Sequence, residues 1–247
     1  MTIYFSPVCR DLNARTSIYQ ALASNEGLRK VTFASTHMDA EASGILAKSL
    51  RANPRIESLN LRGTAFQKKE GHASLMNEIA SHAGLAEVCV ESGLSQGDLS
   101  LLMRGLENNK VLKMLTVYFS DLSGRKHDAE FVKATHEMLL NNDTLQELSL
   151  PKPMLSAAGG YSLSKGLEKN RGLLKLHIGA SLRDPSELAN QNAFNYMLDM
   201  LDSNTTIQDI DIDLSAENKA GCWELDEDEA TLRQQMREKL ERNRSHQ

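Results

Sequence analysis

Three carboxylates, Asp209, Asp211 and Asp213, alternate with isoleucines in the segment DIDID, a spacing that invites a metal site. Alternation with a period of two is typical of a strand, and successive carboxylates on one strand face lie ~6.5–7 Å apart. Coordination of Ca²⁺ requires about six to eight close oxygen ligands, and no glycine-turned loop beside these residues supplies the others. The pattern therefore predicts no metal site.

Nucleophilic catalysis would require a thiol or hydroxyl beside a base such as His177. The three cysteines, Cys9, Cys89 and Cys222, form no CxxC pair, and sparse cysteines of this kind are typical of reduced thiols in a cytosolic setting. No serine or cysteine stands at a defined motif spacing from His177, and the glycines fall outside the phosphate-binding and dinucleotide-binding motifs. We therefore expect neither enzymatic activity nor a cofactor.

The composition narrows the class of partner. The 247 residues include 28 Lys and Arg against 33 Asp and Glu, for a net charge of -5, and 40% of the chain is hydrophobic. This apolar content excludes wholesale disorder, and the mild acidity argues against a nucleic-acid binder. No stretch approaches the ~18 apolar residues of a membrane helix, and the first 20 residues lack a signal-peptide pattern. The sequence predicts a cytoplasmic protein without a nucleic-acid or membrane partner.

A short pattern that recurs along the chain determines the elements that must position these residues. It consists of Asn, two variable residues, an aliphatic, two variable residues, an aliphatic, one variable residue and an aliphatic. Seven copies begin at Asn25, Asn53, His82, Asn109, Asn142, Asn170 and Asn204. The intervals between these anchors are 28, 29, 27, 33, 28 and 34 residues, which indicates an array of structural repeats.

Each copy predicts one strand and one helix. The final aliphatics alternate, as Leu59 and Leu61 do, which is typical of a strand. The run before each anchor has helical spacing, as at Leu46 and Leu50. Ile3 and Phe5 fit the strand of a truncated earlier copy. One such unit cannot bury its apolar face alone, whereas stacked units share a continuous core.

The repeated LxxLxL strand and the LxxxLxxN run before it resemble the ribonuclease-inhibitor-like leucine-rich repeat family over about residues 2–215. That family includes recognition domains of innate-immune receptors, the GTPase-activating protein for Ran and the C-terminal half of tropomodulins. The resemblance implies an α/β solenoid of about seven full repeats. It would be a right-handed horseshoe with a parallel sheet on the concave face and helices on the convex face.

The chain departs from that family at the position eight residues after the first strand aliphatic, where the family usually has Asn. Here the position holds Thr36, Thr64, Gly93, Ser120, Pro153, Ser181 and Ser215. A hydroxyl can make some of the backbone hydrogen bonds of the missing amide, whereas Gly and Pro cannot. We therefore expect irregular loops at Gly93 and Pro153, and loop insertions at Asp121–Glu130 and Leu182–Ala193.

The predicted organisation is a single leucine-rich repeat domain over residues 1–247. Residues 1–24 form a partial first repeat, 25–215 carry the seven strand-bearing repeats, and 216–247 contain an acidic loop and a C-terminal capping helix. The first strand has no obvious cap, and exposed strand edges favour pairing with another chain. End-to-end homodimerisation through this edge is one prediction, and coverage by the first ten residues is the alternative.

Variable strand positions of such a solenoid face the concave surface. The candidate partner-binding residues on this face are Lys30, Arg62, Glu87, Glu91, Met114, Tyr118, His177, Asp209, Asp211 and Asp213. Their charges suit steering of a complementary partner, and Met114 with Tyr118 suits an apolar anchor. For the charged residues, a role in solubility alone stays open as the alternative.

The function predicted from these features is a non-enzymatic interaction module that binds a partner protein through its concave strand face, as a bacterial effector or a cytoplasmic adaptor. An effector would act in a host cytoplasm. Two alternatives follow from the family resemblance: a regulator of a small GTPase, like the protein that activates Ran, and a tropomodulin-like actin-binding cap. No catalytic Asn or Arg of the Ran-activating family maps onto a matching motif here.

Overall fold

A computed structural model describes residues 2–5, 12–33, 37–67, 72–90, 94–118, 129–153, 157–179, 187–213 and 227–245. The chain divides into two compact units, Met1–Gly124 and Arg125–Gln247. Of the predicted site residues, Glu91 lies outside the described ranges, as do Cys9, Cys222 and Gly93.

The first unit alternates strands with helices. Its strands are β1 (Thr2–Phe5), β2 (Lys30–Phe33), β3 (His37–Met38), β4 (Ser58–Leu61), β5 (Ala65–Phe66), β6 (Glu87–Val90) and β7 (Met114–Val117). Its helices are α1 (Leu12–Ser24), α2 (Ala40–Ala52), α3 (Ala73–Ser81) and α4 (Gln96–Leu106). The strands β1, β2, β4, β6 and β7 are neighbours in that order, and every pair among them is parallel.

The second unit repeats this alternation. Its strands are β8 (Glu147–Pro153), β9 (Lys175–Gly179) and β10 (Asp209–Asp213), which pair in parallel in that order. Its helices are α5 (Ala129–Asn141), α6 (Ala157–Lys169), α7 (Glu187–Ser203) and α8 (Glu227–Ser245). Both units therefore confirm the predicted α/β class, with a parallel sheet and the strand–helix repeat of leucine-rich repeat proteins.

The repeated aliphatic positions form the core between sheet and helices. Leu46 and Leu50 of α2, and Leu59 and Leu61 of β4, are almost fully buried. The residues between the strand aliphatics are more exposed, because a strand turns successive side chains to opposite faces. The second unit follows the same rule, with Leu176 and Ile178 of β9 buried. The hydrophobic pattern thus assigns each strand its buried and its open face.

The asparagine that begins each copy joins neighbouring repeats through backbone hydrogen bonds. In the second unit, Asn170 Nδ2 donates to Leu139 O and Asn142 O at 2.8 Å each. Its Oδ1 accepts from Gly172 N at 3.1 Å and Leu173 N at 2.7 Å. The same two hydrogen bonds, accepted from the N–H groups two and three positions after the asparagine, occur at Asn25, Asn109, Asn142 and Asn204. Each anchor therefore satisfies buried backbone groups of the helix-to-strand turn.

His82 takes the place of asparagine in the third copy and reproduces its bonding. Its Nδ1 accepts from Gly84 N at 3.1 Å and Leu85 N at 3.0 Å. Its Nε2 lies 3.0 Å from Leu50 O and 3.2 Å from Asn53 O. Nδ1 thus faces two donors and Nε2 faces two acceptors, which matches the tautomer that carries its N–H at Nε2.

The segments after β2 and β4 contain structure that the repeat pattern did not predict. β3 and β5 form a separate parallel two-stranded sheet, in which His37 aligns with Ala65 and Met38 with Phe66. Just before β5, the buried Thr64 donates through Oγ1 to Phe33 O at 3.4 Å. This bond to the preceding repeat is of the kind expected from a hydroxyl in place of the family asparagine.

Pro153, where an irregular loop was predicted, is instead the last residue of strand β8. The pairing of β8 with β9 shifts register between Leu150 and Pro153. Proline has no N–H to donate to the ladder, so a shift at this point agrees with its chemistry. The insertion expected as a loop over Leu182–Ala193 is helical from Glu187 onward, where α7 begins. The other predicted insertion lies mostly outside the described residues.

Helix α8 provides side-chain donors to the last repeat. Asn243 Nδ2 donates to Asn204 O at 3.0 Å and Ile207 O at 2.8 Å, and Arg244 Nε donates to Gln208 O at 2.8 Å. α8 begins at Glu227, so the end of the acidic run is helical instead of a loop. Among the described helices, none is long and apolar enough to cross a membrane.

Candidate functional site

The open side of the first unit's sheet presents rows of side chains from four neighbouring strands. The parallel register aligns Lys30 with Ser58, Glu87 and Met114. These positions alternate with buried aliphatics, so their side chains lie on the face away from the core. We call this surface the first strand face, defined by Lys30, Asn60, Arg62, Glu87, Cys89, Met114, Thr116 and Tyr118.

One ion pair crosses the row of Lys30. Lys30 Nζ lies 3.5 Å from Glu87 Oε2, although β4 separates the two strands that carry them. Both side chains are about half exposed, so the pair contributes little to stability. For a binding partner, the charges of Lys30 and Glu87 balance each other locally.

A second pair joins the carboxyl ends of β4 and β7 across β6. The Arg62 guanidinium carbon lies 4.8 Å from the centre of the Tyr118 ring, within the range of a cation–π interaction. Asn60 Oδ1 accepts from Arg62 N at 2.8 Å, and Tyr118 N donates to Val90 O at 2.9 Å. These backbone bonds place both side chains, so the arginine and the tyrosine form one ordered surface group.

Met114 adds an apolar contact surface at the other end of β7. Its side chain lies on the first strand face with 36% exposure, whereas the neighbouring Leu115 is buried. Exposed methionine, tyrosine and arginine are the residue types enriched in protein–protein interfaces. The first strand face therefore combines two anchor-type groups, at Met114 and at Arg62 with Tyr118.

The corresponding surface of the second unit is dominated by charge. The register aligns Glu147 with Lys175 and Asp209, and it aligns His177 with Asp211. We call this surface the second strand face, defined by Glu147, Ser149, Lys175, His177, Asp209 and Asp211.

Lys175 lies between two acids on this face. Its Nζ donates to Glu147 Oε1 at 2.7 Å. This hydrogen bond, the charge of Glu147 and, to a smaller extent, that of Asp209 raise the pKa of Lys175 above its ordinary value, against a small opposing effect of burial. Lys175 therefore remains a cation at neutral pH and offsets part of the acidity around it.

The aspartates of β10 have basic neighbours. Asp211 Oδ2 lies 3.5 Å from His177 Nδ1, and Asp209 Oδ1 lies 4.0 Å from a guanidinium nitrogen of Arg244. Asp213 aligns with Gly179 in the backbone ladder. His177 Nε2 is buried and has no hydrogen-bond partner among the described residues. The second strand face is therefore a mixed ionic surface and not a row of carboxylates alone.

The structure brings together some predicted site residues and not others. Within the first unit it pairs Lys30 with Glu87 and Arg62 with Tyr118, while in the second unit it pairs His177 with Asp211. Among the described residues, no group of three or more His, Cys, Asp or Glu side chains is placed to hold a metal ion. What the site offers chemically is contact surface and charge.

Sequence reasoning missed an aromatic group on the helical side of the second unit. Tyr161 of α6 is 49% exposed, and its ring centre lies 5.2 Å from that of Tyr196 of α7 in an edge-to-face arrangement. Lys165 Nζ lies 5.7 Å from the centre of the Tyr161 ring. The helical spacing of Tyr161 relative to the buried Leu163 and Leu167 is the signal that would have marked it as outward-facing.

Comparison with known proteins finds similarity among solved structures. No family model and no curated protein matches it. Among solved structures, it is similar to leiomodin-1 actin-binding site 2, at 19% identity over 62% of this chain and 76% of that chain, with a TM-score of 0.46.

Two further solved structures show a comparable likeness. The tropomodulin C-terminal domain of Caenorhabditis elegans is 16% identical, and the match covers 64% of this chain and 84% of that domain, with a TM-score of 0.46. A Bacteroides fragilis protein is 10% identical, covers 85% of this chain and 66% of its own, and has a TM-score of 0.47. Similarity at this level is silent on function.

Proposed function

We propose that this chain is a non-enzymatic module that binds a partner protein through its open sheet surface, with the first strand face as the anchoring part. The observation that carries the proposal is the ordered group of Arg62 and Tyr118, together with the exposed Met114, on a face that the helices of the unit do not cover. We further propose that the repeats are of the ribonuclease-inhibitor type and that the module works in a cytoplasm, as an adaptor or a delivered effector.

The energetics of binding support this choice of face. A few buried aromatic, methionine or arginine side chains carry most of the free energy of a typical interface. A group that is already ordered before binding loses less conformational entropy when the partner docks. Arg62 and Tyr118 meet this condition, because their mutual contact and their backbone bonds place them in the free protein.

The direct test is affinity capture with the whole chain, followed by mass spectrometry. We expect the double substitution Met114→Ala and Tyr118→Ala to abolish recovery of the proteins that the unchanged chain retains. The control is Tyr161→Ala, which removes an exposed aromatic from the helical side and should leave recovery unchanged. Equal recovery by the double variant and the unchanged chain would reject the first strand face as the anchor.

Two partner classes named by the sequence resemblance have their own assays. Saturable co-sedimentation with filamentous actin would identify actin, and stimulated GTP hydrolysis across a panel of small GTPases would identify a regulatory role. In either assay, the effect should disappear in the Met114→Ala and Tyr118→Ala double variant if the first strand face carries it. An activity that persists in that variant would assign the function to another surface.

A further inference from the structure

We propose that the first strand face recognises an extended segment of its partner that presents a carboxylate to Arg62 and an apolar side chain to Met114. This inference rests on the proposed function and specifies the chemistry of the partner at the same surface. It follows from three features of the described residues: the balance of charges, the donors of Arg62 and the distance between the two anchors.

The balance of charges leaves Arg62 as the cation available to a partner. On the first strand face, as far as its residues are described, Lys30 is compensated by Glu87 at 3.5 Å. Arg62 instead lies over the neutral ring of Tyr118. Contact with an aromatic ring does not cancel a positive charge, so Arg62 still presents a cationic group on this face. A partner that places an acidic side chain there gains complementary charge.

The Arg62 guanidinium also has N–H donors that are available to a partner. Arginine carries five N–H donors in a planar fork that matches the two oxygens of a carboxylate. No side-chain hydrogen bond of Arg62 is made to another described residue, whereas its backbone N–H is used by Asn60. Tyr118 holds the fork in place, which lowers the entropy lost when a carboxylate binds. Arginine is therefore better suited than lysine at this position.

The separation of the two anchors defines the spacing in the partner. Met114 begins β7, and Tyr118, whose ring lies against the Arg62 guanidinium, follows four residues later, which corresponds to about 13 Å at the strand rise. An extended peptide that runs alongside β7 spans this distance with about four residues of its own. The partner motif is thus an acidic residue and a large apolar residue about four positions apart.

The test uses a displayed library of random dodecapeptides as the probe and the whole chain as the target. We expect the selected peptides to be enriched in Asp or Glu with a large apolar residue three to five positions away. In synthetic copies of these peptides, replacing the acid by its amide should weaken binding about tenfold or more, because a charge-assisted hydrogen bond is lost.

Substitutions in the protein should match those in the peptide. Arg62→Ala should weaken binding to a similar extent, and it should make the amide replacement in the peptide nearly neutral, since both changes remove one interaction. Arg62→Lys should restore part of the affinity, because it keeps the charge without the fork. Lys48→Ala, which removes an exposed cation from helix α2, is the matched control and should change binding little. Arg62 is exposed, so these variants should fold, which equal thermal unfolding midpoints would verify.

The possible failures are distinguishable. Peptides that bind, lose affinity in the Met114→Ala variant and yet tolerate the amide replacement would overturn the acidic motif while supporting the proposed function. Selected peptides whose affinity is unchanged in the Met114→Ala and Arg62→Ala variants would overturn both the acidic motif and the proposed function. An unsuccessful selection, with no peptide enriched over a target-free control, would also overturn the inference that a short extended segment suffices.

Discussion

At the scale of single residues, the anchor position of each repeat is a backbone-bonding device. Asn170 illustrates it, because one short amide both donates to the preceding repeat and accepts from its own turn. Leaving such buried backbone groups unsatisfied costs about 1–3 kcal/mol each. Imidazole is the other side chain seen at this position, at His82, since its two nitrogens can play opposite roles.

Substitutions at His82 test this hydrogen-bonding role. His82→Asn should leave the free energy of unfolding within about 1 kcal/mol of its original value, because the amide has the same donor and acceptor. His82→Ala should lower it by about 2–4 kcal/mol, because four backbone bonds lose their partner. Urea unfolding of the two variants makes the comparison. A His82→Asn loss as large as that of His82→Ala would mean that ring volume, and not hydrogen bonding, selects His82.

At the scale of elements, the close approach of consecutive turns determines where side chains are excluded. A Cβ on Gly172 would lie 2.2 Å from Asp143 O, a rigid backbone atom of the preceding repeat. A Cβ on Gly84 would meet Pro54 O at 2.0 Å in the same way in the first unit. Glycine at these turns therefore lets one repeat stack directly on the next.

Gly172→Ala is the corresponding prediction. It should lower the free energy of unfolding by about 2 kcal/mol or more, because backbone must shift to relieve the overlap. The control is Gly44→Ala in the middle of α2, where a Cβ has no atom within 4 Å. That change should raise stability by up to about 1 kcal/mol through helix propensity. Opposite shifts in the thermal midpoint would support this account, and equal shifts would refute it.

At the scale of the whole molecule, each unit is a stack of repeats, and α8 completes the stack of the second unit. In the interior of that unit, Leu174 O accepts from the N–H groups of Gln208 and Asp209 in the next repeat. In the last repeat, just before β10, the equivalent carbonyl of Gln208 accepts a hydrogen bond from the Arg244 side chain. Side chains of α8 thus replace the backbone donors that a further repeat would provide, which is the task of a terminal cap.

Removal of this replacement is the prediction at the largest scale. Arg244→Ala should remove the Arg244 donor from Gln208 O and reduce the hydrogen-exchange protection of β10 amides about fivefold to tenfold. Arg237→Ala, at an exposed position on the same helix, should leave that protection unchanged. If β10 exchanges at the same rate in both variants, α8 does not stabilise the edge of the second unit through this bond.

The fold class, the position of each main strand and its buried face could be predicted from the repeat sequence alone. These follow from local rules, since the aliphatic spacing alone distinguishes strand from helix and core from surface. Repetition strengthened the prediction, because seven copies at similar intervals share one interpretation. The same rules marked Lys30, Arg62, Met114 and Tyr118 as outward-facing before any contact was known.

Only the tertiary structure decided which of these side chains meet. Arg62 and Tyr118 are 56 residues apart (118 − 62), and their contact depends on a parallel register that passes through β6. Likewise, the neutralisation of Lys30 by Glu87 and the role of His82 as an asparagine depend on stacking between repeats. Contacts of this kind depend on distances between chain segments far apart in sequence, and hydrophobic periodicity carries no information about them.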